Sequence, residues 1–118
     1  MGVFTWPLRV SSLDGQLSRD VDAMVDTGAS YTVLPTSLLQ ELGVEPAHEA
    51  NFEIADGRIV TMPIGRVWAT IDGASEITLA VFGDDDAPAL LGAYTLEGLR
   101  LAVDPINRRL APTHAILY

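Results

Sequence analysis

Residues 24–30 read Met-Val-Asp-Thr-Gly-Ala-Ser (MVDTGAS), with one carboxylate, Asp26, at their centre. Apolar residues lead into it: Val21, Ala23 and Val25 alternate with Asp22, Met24 and Asp26. Period-two alternation marks a half-buried strand, so Asp26 falls at a strand end. Thr27 carries a hydroxyl that can bond backbone or a neighbour, and Gly28 permits a tight turn and the close approach of another backbone. Tyr31, Thr32, Val33 and Leu34 then resume a strand. A carboxylate on a rigid turn between strands is how a scaffold presents a functional acid.

Outward from this stretch the same rhythm recurs. Val67, Ala69 and Ile71 alternate with Arg66, Trp68 and Thr70; Ile77, Leu79 and Val81 follow, then Leu99, Leu101 and Val103. Three Asp-Gly pairs, Asp14-Gly15, Asp56-Gly57 and Asp72-Gly73, punctuate the strands. Asp-Gly favours the positive φ angles of a type I′ hairpin turn. Residues 35–43 break the rhythm: they open with Pro35, close with Gly43 and place Leu38, Leu39 and Leu42 on one face, which predicts a short helix. A second short helix is predicted over 94–98. The reading is an all-β fold with one or two short helices.

The chain of 118 residues fits one domain, 1–118, and can bury about two-thirds of its unfolded surface. At 48% hydrophobic it is too apolar for disorder, yet no run of 18 apolar residues offers a membrane helix. The start lacks a secretory pattern, and Trp6 stands where an acylation signal at Gly2 needs Ser or Thr, so a cytoplasmic location is expected. The absence of cysteine excludes disulfides, thiolate catalysis and cysteine-ligated zinc. A net charge of −9 argues against nucleic acid as a partner.

The remaining candidates carry less chemistry. His48 and His114 lack zinc-ligand spacing and are expected at the surface. Asp84, Asp85 and Asp86 have no calcium-loop pattern around them and read as a solvated loop. Trp6 and Trp68 are expected in the core or an interface. Ser30 has no neighbouring histidine to make it a nucleophile. No cofactor or metal is predicted.

The residues Val25-Asp26-Thr27-Gly28-Ala29-Ser30, with Leu90-Leu91-Gly92 further on, resemble the retropepsin-like aspartic proteases of clan AA, of the single-domain type seen in bacterial and cellular relatives. The resemblance covers most of the chain and extends to the 35–43 helix, the stretch 63–71, and the order Leu-Arg-Leu-Ala-Val-Asp then Asn-Arg-Arg-Leu. It implies a small closed β-barrel or sandwich. It also implies an endopeptidase whose second carboxylate is Asp26 of another copy, since this chain has one motif where two-domain members have two. Thr27, Gly28 and Ala29 would support the catalytic loop, and Leu90, Leu91 and Gly92 would pack beneath it. A hairpin over 51–61, with Ala55, Asp56, Gly57 and Arg58 at its tip, would be the flap over a peptide or protein substrate.

Two departures accompany the resemblance. The tip has a single glycine where retroviral flaps are glycine-rich. The arginine that follows the apolar-apolar-Gly triplet in retroviral members, where it braces an acidic residue, is replaced here by Ala93 and Tyr94. Residues 115–118, Ala-Ile-Leu-Tyr, are a candidate interface strand. The alternative to a homodimeric peptidase is a non-catalytic module of the same fold used for dimerisation or peptide binding. A third reading is a small β-barrel in which Asp-Thr-Gly is only a turn.

Overall fold

The structure, a computed structural model, describes residues 4–114 and Leu117. In chain order the elements are β1 (Thr5–Ser11), β2 (Ser18–Val25), β3 (Thr32–Pro35), α1 (Thr36–Glu41), β4 (His48–Glu53), β5 (Ile59–Ile71), β6 (Ala74–Gly83), β7 (Leu90–Leu91), α2 (Ala93–Gly98), β8 (Leu101–Asp104) and β9 (Arg109–Pro112). The all-β reading holds. The main sheet runs β1-β2-β7-β3-β6-β5-β4, and β1 also pairs with β5. That last pairing returns the ladder to its start, so six strands form a closed circuit from which β4 projects. Closure leaves fewer free edges to template aggregation. Strands β8 and β9 pair separately as a two-stranded sheet.

The apolar alternation seen in the sequence becomes the inner face of this circuit. Leu8, Val10, Ala23, Val25, Leu34, Val67, Ala69, Ile71 and Leu91 join one buried cluster. Full burial of side chains such as Leu8 and Leu91 is worth about 1.5–3 kcal/mol each. Strand β6 departs from its apparent pattern. Ile77 is 48% exposed, while Thr78 beside it is buried. Leu99, read as part of the next strand, instead closes α2 as its C-cap and is buried there; the strand starts at Leu101.

The turns divide into two kinds. Asp72 (φ 51°) and Gly73 (φ 85°) both take positive φ and join β5 to β6 in a two-residue turn, as expected. At the other two pairs only the glycine has positive φ. Register explains this: Ser11 pairs with Ser18 and Glu53 with Ile59, so longer loops intervene. In each loop the aspartate accepts a backbone N–H two residues on, from Gln16 at 2.9 Å and Arg58 at 3.0 Å. Both short helices form, with Pro35 as the N-cap of α1 and Gly43 (φ 69°) beyond its end. Trp6 and Trp68 are half-buried, and Trp68 Nε1 donates to the Leu13 carbonyl at 3.1 Å. His48 and His114 are exposed. Of the candidate interface strand 115–118, all but Leu117 lies outside the described residues.

Candidate active site

The position of Asp26 follows from how β7 is inserted. Leu90 and Leu91 run parallel to Met24 and Val25 on one side, and Leu90 pairs with Val33 on the other. The two strands that flank the Asp-Thr-Gly turn are therefore spliced together by the Leu-Leu pair beneath it. Because Val25 is in register with Leu91, the next residues, Asp26 and Gly92, emerge side by side. The Asp26 N–H donates to the Leu91 carbonyl at 3.1 Å, and Leu91 is fully buried.

The loop itself is closed by its own polar groups. Ala29 N–H donates to the Asp26 carbonyl at 3.2 Å, and Gly28 N–H donates to Asp26 Oδ1 at 2.9 Å. One carboxylate oxygen is thus fixed by backbone. A Cβ at position 28 would sit 3.2 Å from that same Oδ1, so glycine leaves the carboxylate room to accept the bond. Asp26 is partly buried and Thr27 is exposed.

Helix α2 continues from β7 and holds the far side of the loop. Ala93 N–H donates to Ala29 O and Tyr94 N–H to Ser30 O, both at 2.9 Å. At the start of this helix Gly92 lies against the Tyr31–Thr32 peptide: a Cβ there would come within 2.5 Å of Tyr31 O and 2.9 Å of Thr32 N. Real Cβ atoms do not approach backbone that closely, so glycine is obligatory at this position. The stretch Leu90-Leu91-Gly92 and the motif at 26–29 are therefore brought together.

A buried polar network lies under the loop and was not legible in the sequence. Thr32 Oγ1 shares a 2.7 Å hydrogen bond with Thr95 Oγ1, which shares another of 2.7 Å with Thr78 Oγ1. Thr32 Oγ1 also accepts the Gly92 N–H at 3.1 Å. Three threonines from β3, β6 and α2 thus satisfy one another where water is excluded. Each reads locally as an ordinary strand or helix residue. The only local signal was polar residues inside otherwise apolar segments.

The hairpin expected over 51–61 is present as β4 and β5, with 54–58 as its loop. Gly57 N–H donates to Ile54 O and Ile54 N–H to Arg58 O, both at 2.9 Å. Ala55, Asp56, Gly57 and Arg58 are all exposed at the tip, where Arg58 Nε meets Asp56 Oδ2 at 2.7 Å. An exposed pair of this kind is worth little to stability. Tyr31 makes an edge-on ring contact with Phe52 of β4 (centroids 5.9 Å apart) and another with Tyr94 of α2 (5.6 Å).

Other candidates lie apart from this constellation. A surface cavity of about 550 Å³ between Leu13, Leu17, Leu42, Val44 and Arg66 is not lined by Asp26. Asp84, Asp85 and Asp86 are exposed, and Asp85 Oδ1 accepts the Ser37 N–H at 2.8 Å, which ties that loop to the start of α1. No group of three or more metal-ligating side chains occurs among the described residues. No described helix is long and apolar enough to cross a membrane.

A closed circuit of strands, with Asp-Thr-Gly spliced over the Leu-Leu-Gly strand, defines the retropepsin-like class of aspartic proteases. The sequence matches the family model described as "Aspartyl protease" over residues 8–95, and the chain belongs to that family. Among solved structures, the retroviral protease-like domain of Ddi1 from Leishmania major is similar at TM-score 0.59 and 16% identity, over 95% of this chain and 89% of that one. The EIAV protease in complex with the inhibitor HBY-793 matches at TM-score 0.56 and 19% identity, over 80% of this chain and 85% of that one. A retropepsin-like aspartic protease from Rickettsia conorii matches at TM-score 0.51 and 22% identity, over 86% and 84%. At these identities the likeness shows the fold. No curated protein gives a significant sequence match.

Proposed function

We propose that this protein is an aspartic endopeptidase active as a homodimer, with one Asp26 from each chain in a shared catalytic dyad. The observation that carries this reading is the Asp26 loop: a carboxylate with one oxygen fixed by Gly28 N–H, on a turn welded to Leu91 and Gly92, in a chain with a single such motif. The fit of Gly92 against Tyr31 and Thr32 supports a loop built for position rather than mobility.

Two carboxylates at a two-fold axis share one proton, because both cannot ionise at close range. The ionised partner takes a proton from a bound water as its oxygen attacks the scissile carbonyl carbon. The protonated partner gives its proton to the carbonyl oxygen, so no full oxyanion develops. Collapse of the tetrahedral intermediate breaks the C–N bond as the amine nitrogen receives a proton from the dyad. In this reading Thr27, exposed beside Asp26, bonds the other chain's loop, and Ala29 closes the turn through its N–H. The tip residues Ala55, Asp56, Gly57 and Arg58 serve as a flap that closes over a peptide and excludes water.

The test is Asp26→Asn, which is nearly isosteric but cannot shuttle the proton. Cleavage of an unstructured protein such as casein is expected to disappear while circular dichroism stays unchanged. Continued cleavage by the folded variant would overturn the assignment. A wild-type dimer that binds peptides without cutting them would replace the enzyme by a binding module.

A further inference from the structure

Where the β1–β2 turn, the segment after α1 and the middle of β5 meet, a surface cavity of about 550 Å³ opens between Leu13, Leu17, Leu42, Val44, Glu45 and Arg66. Its size falls within the roughly 300–1,000 Å³ of small-molecule sites. No lining residue belongs to the Asp26 loop, β7 or α2.

The walls are held by backbone. Ser12 N–H donates to Leu17 O and Gly15 N–H to Ser12 O, both at 2.9 Å, which closes the first wall. Trp68 Nε1 fixes the Leu13 carbonyl at 3.1 Å. The second wall is bonded to α1 by Val44 N–H to Leu39 O at 2.9 Å, and to β5 by Ala47 N–H to Ile64 O at 2.7 Å. Gly65 permits that approach, since a Cβ there would lie 2.7 Å from Val44 Cγ1 and 3.3 Å from Glu45 O. A cavity built in this way is shaped before a ligand arrives, which lowers the cost of binding.

Its lining combines aliphatic surface with two opposite charges that do not meet. Leu13 and Leu17 are 52% and 43% exposed, although they share the cavity with the buried Leu42. The side chains of Glu45 and Arg66, both exposed, make no hydrogen bond or ion pair among the described residues. Elsewhere Arg9, Arg19, Arg58 and Arg109 each reach a carboxylate. Asp14 also lines the cavity, but its Oδ1 already accepts the Ser12 hydroxyl at 2.6 Å and the Gln16 N–H at 2.9 Å. A fatty acid would satisfy Arg66 and lay its tail beside Glu45; an alkylamine would do the reverse. A ligand with aliphatic groups between an ammonium and a carboxylate meets every part of the lining.

We propose that this cavity binds a short aliphatic peptide with free ends. Arg66 takes the carboxylate, Glu45 takes the ammonium, and Leu13, Leu17 and Val44 cover the side chains. The inference goes beyond the peptidase reading and does not rest on it.

Calorimetric titration of wild-type protein with the dipeptide leucyl-leucine, at low ionic strength, tests the site. Saturable binding is expected, and seryl-serine should bind at least about fivefold more weakly, because it offers no aliphatic surface. Acetylating the amine or amidating the carboxylate of leucyl-leucine should each weaken binding roughly two- to fivefold, the scale of an exposed ion pair. Arg66→Gln should erase the preference for leucyl-leucine over its amide, and Glu45→Gln the preference over its acetylated form. Leu17→Ser should weaken leucyl-leucine roughly three- to tenfold through lost apolar contact. All three positions are exposed, and circular dichroism checks the fold of each variant. Asp26→Asn should bind like wild type, which separates this cavity from the cleft proposed around Asp26. Absence of binding, end-group preferences that survive Arg66→Gln and Glu45→Gln, or loss of binding in Asp26→Asn overturns the site. Casein cleavage enters none of these readouts, so the site and the peptidase reading fail separately.

Discussion

Thr32 and Thr95, 63 residues apart, share a buried 2.7 Å hydrogen bond between their hydroxyls. Thr95 passes the chain on to Thr78, and Thr32 receives the Gly92 N–H. The Asp26 loop, the Leu-Leu-Gly strand and helix α2 are thus pinned to β6 through side-chain oxygens. Thr95→Val keeps the shape but leaves the Thr32 and Thr78 hydroxyls short of a partner. A loss of about 1–3 kcal/mol is expected, the cost of stranding buried polar groups. Thr95→Ser should cost much less, because the hydroxyl remains. Urea denaturation of both variants checks this; equal stability of Val and Ser would remove the network from the account.

Gly92→Ala tests the close approach directly. The added methyl meets the Tyr31 carbonyl oxygen at 2.5 Å, so backbone must move. Overpacking of this kind costs about 1–3 kcal/mol and often more when backbone is struck. Because the shift falls on the residues after Ala29, activity should drop further than stability. Measuring both after refolding decides it: a variant with wild-type stability would show that the loop accommodates a side chain.

The proposed dyad of two Asp26 side chains would make activity a property of pairs. Wild-type chains refolded with a threefold excess of Asp26→Asn chains should leave about one quarter of the wild-type chains in active dimers. Specific activity should fall to that level, and should also fall on dilution. If it instead tracks the number of wild-type chains, the second carboxylate lies within the chain and the homodimer is wrong.

Acid should weaken the fold through identifiable surface carboxylates. The Asp104 carboxyl is held below its ordinary value of 3.8 by the Asn107 side chain and N–H, with a smaller effect of Arg109. Asp20 is lowered mainly by its hydrogen bond from Arg9, and Asp14 by those from Ser12 and Gln16. A lowered carboxyl favours the folded state fully above its unfolded pKa, and that contribution disappears as pH falls through the folded value. Stability should therefore decline as pH drops below about 4. Asp104→Asn should shrink the difference in urea midpoint between about pH 6 and about pH 3. An unchanged difference would show that Asp104 gains nothing from its turn.

The placement of Asp26 at a strand end, helix α1 and the Asp72-Gly73 turn could all be read from the chain, because each depends on neighbours within a few residues. Alternation sets which face of β2 and β5 is apolar, and Asp-Gly fits positive φ wherever the strands meet in the right register. Register itself is not local. It made only one of the three Asp-Gly pairs a two-residue turn, and it turned Thr78 inward while Ile77 faced out. The Asp26 motif and the Leu-Leu-Gly triplet were each visible, yet their union depends on β7 entering between β2 and β3. The threonine network and the rings of Tyr31, Phe52 and Tyr94 were invisible for the same reason. Threonine and the aromatics suit strands generally, so their types announce no partner. Local preference fixed where strands begin and end; long-range packing, which must satisfy every buried hydroxyl and exclude every surplus Cβ at once, decided which residues meet around Asp26.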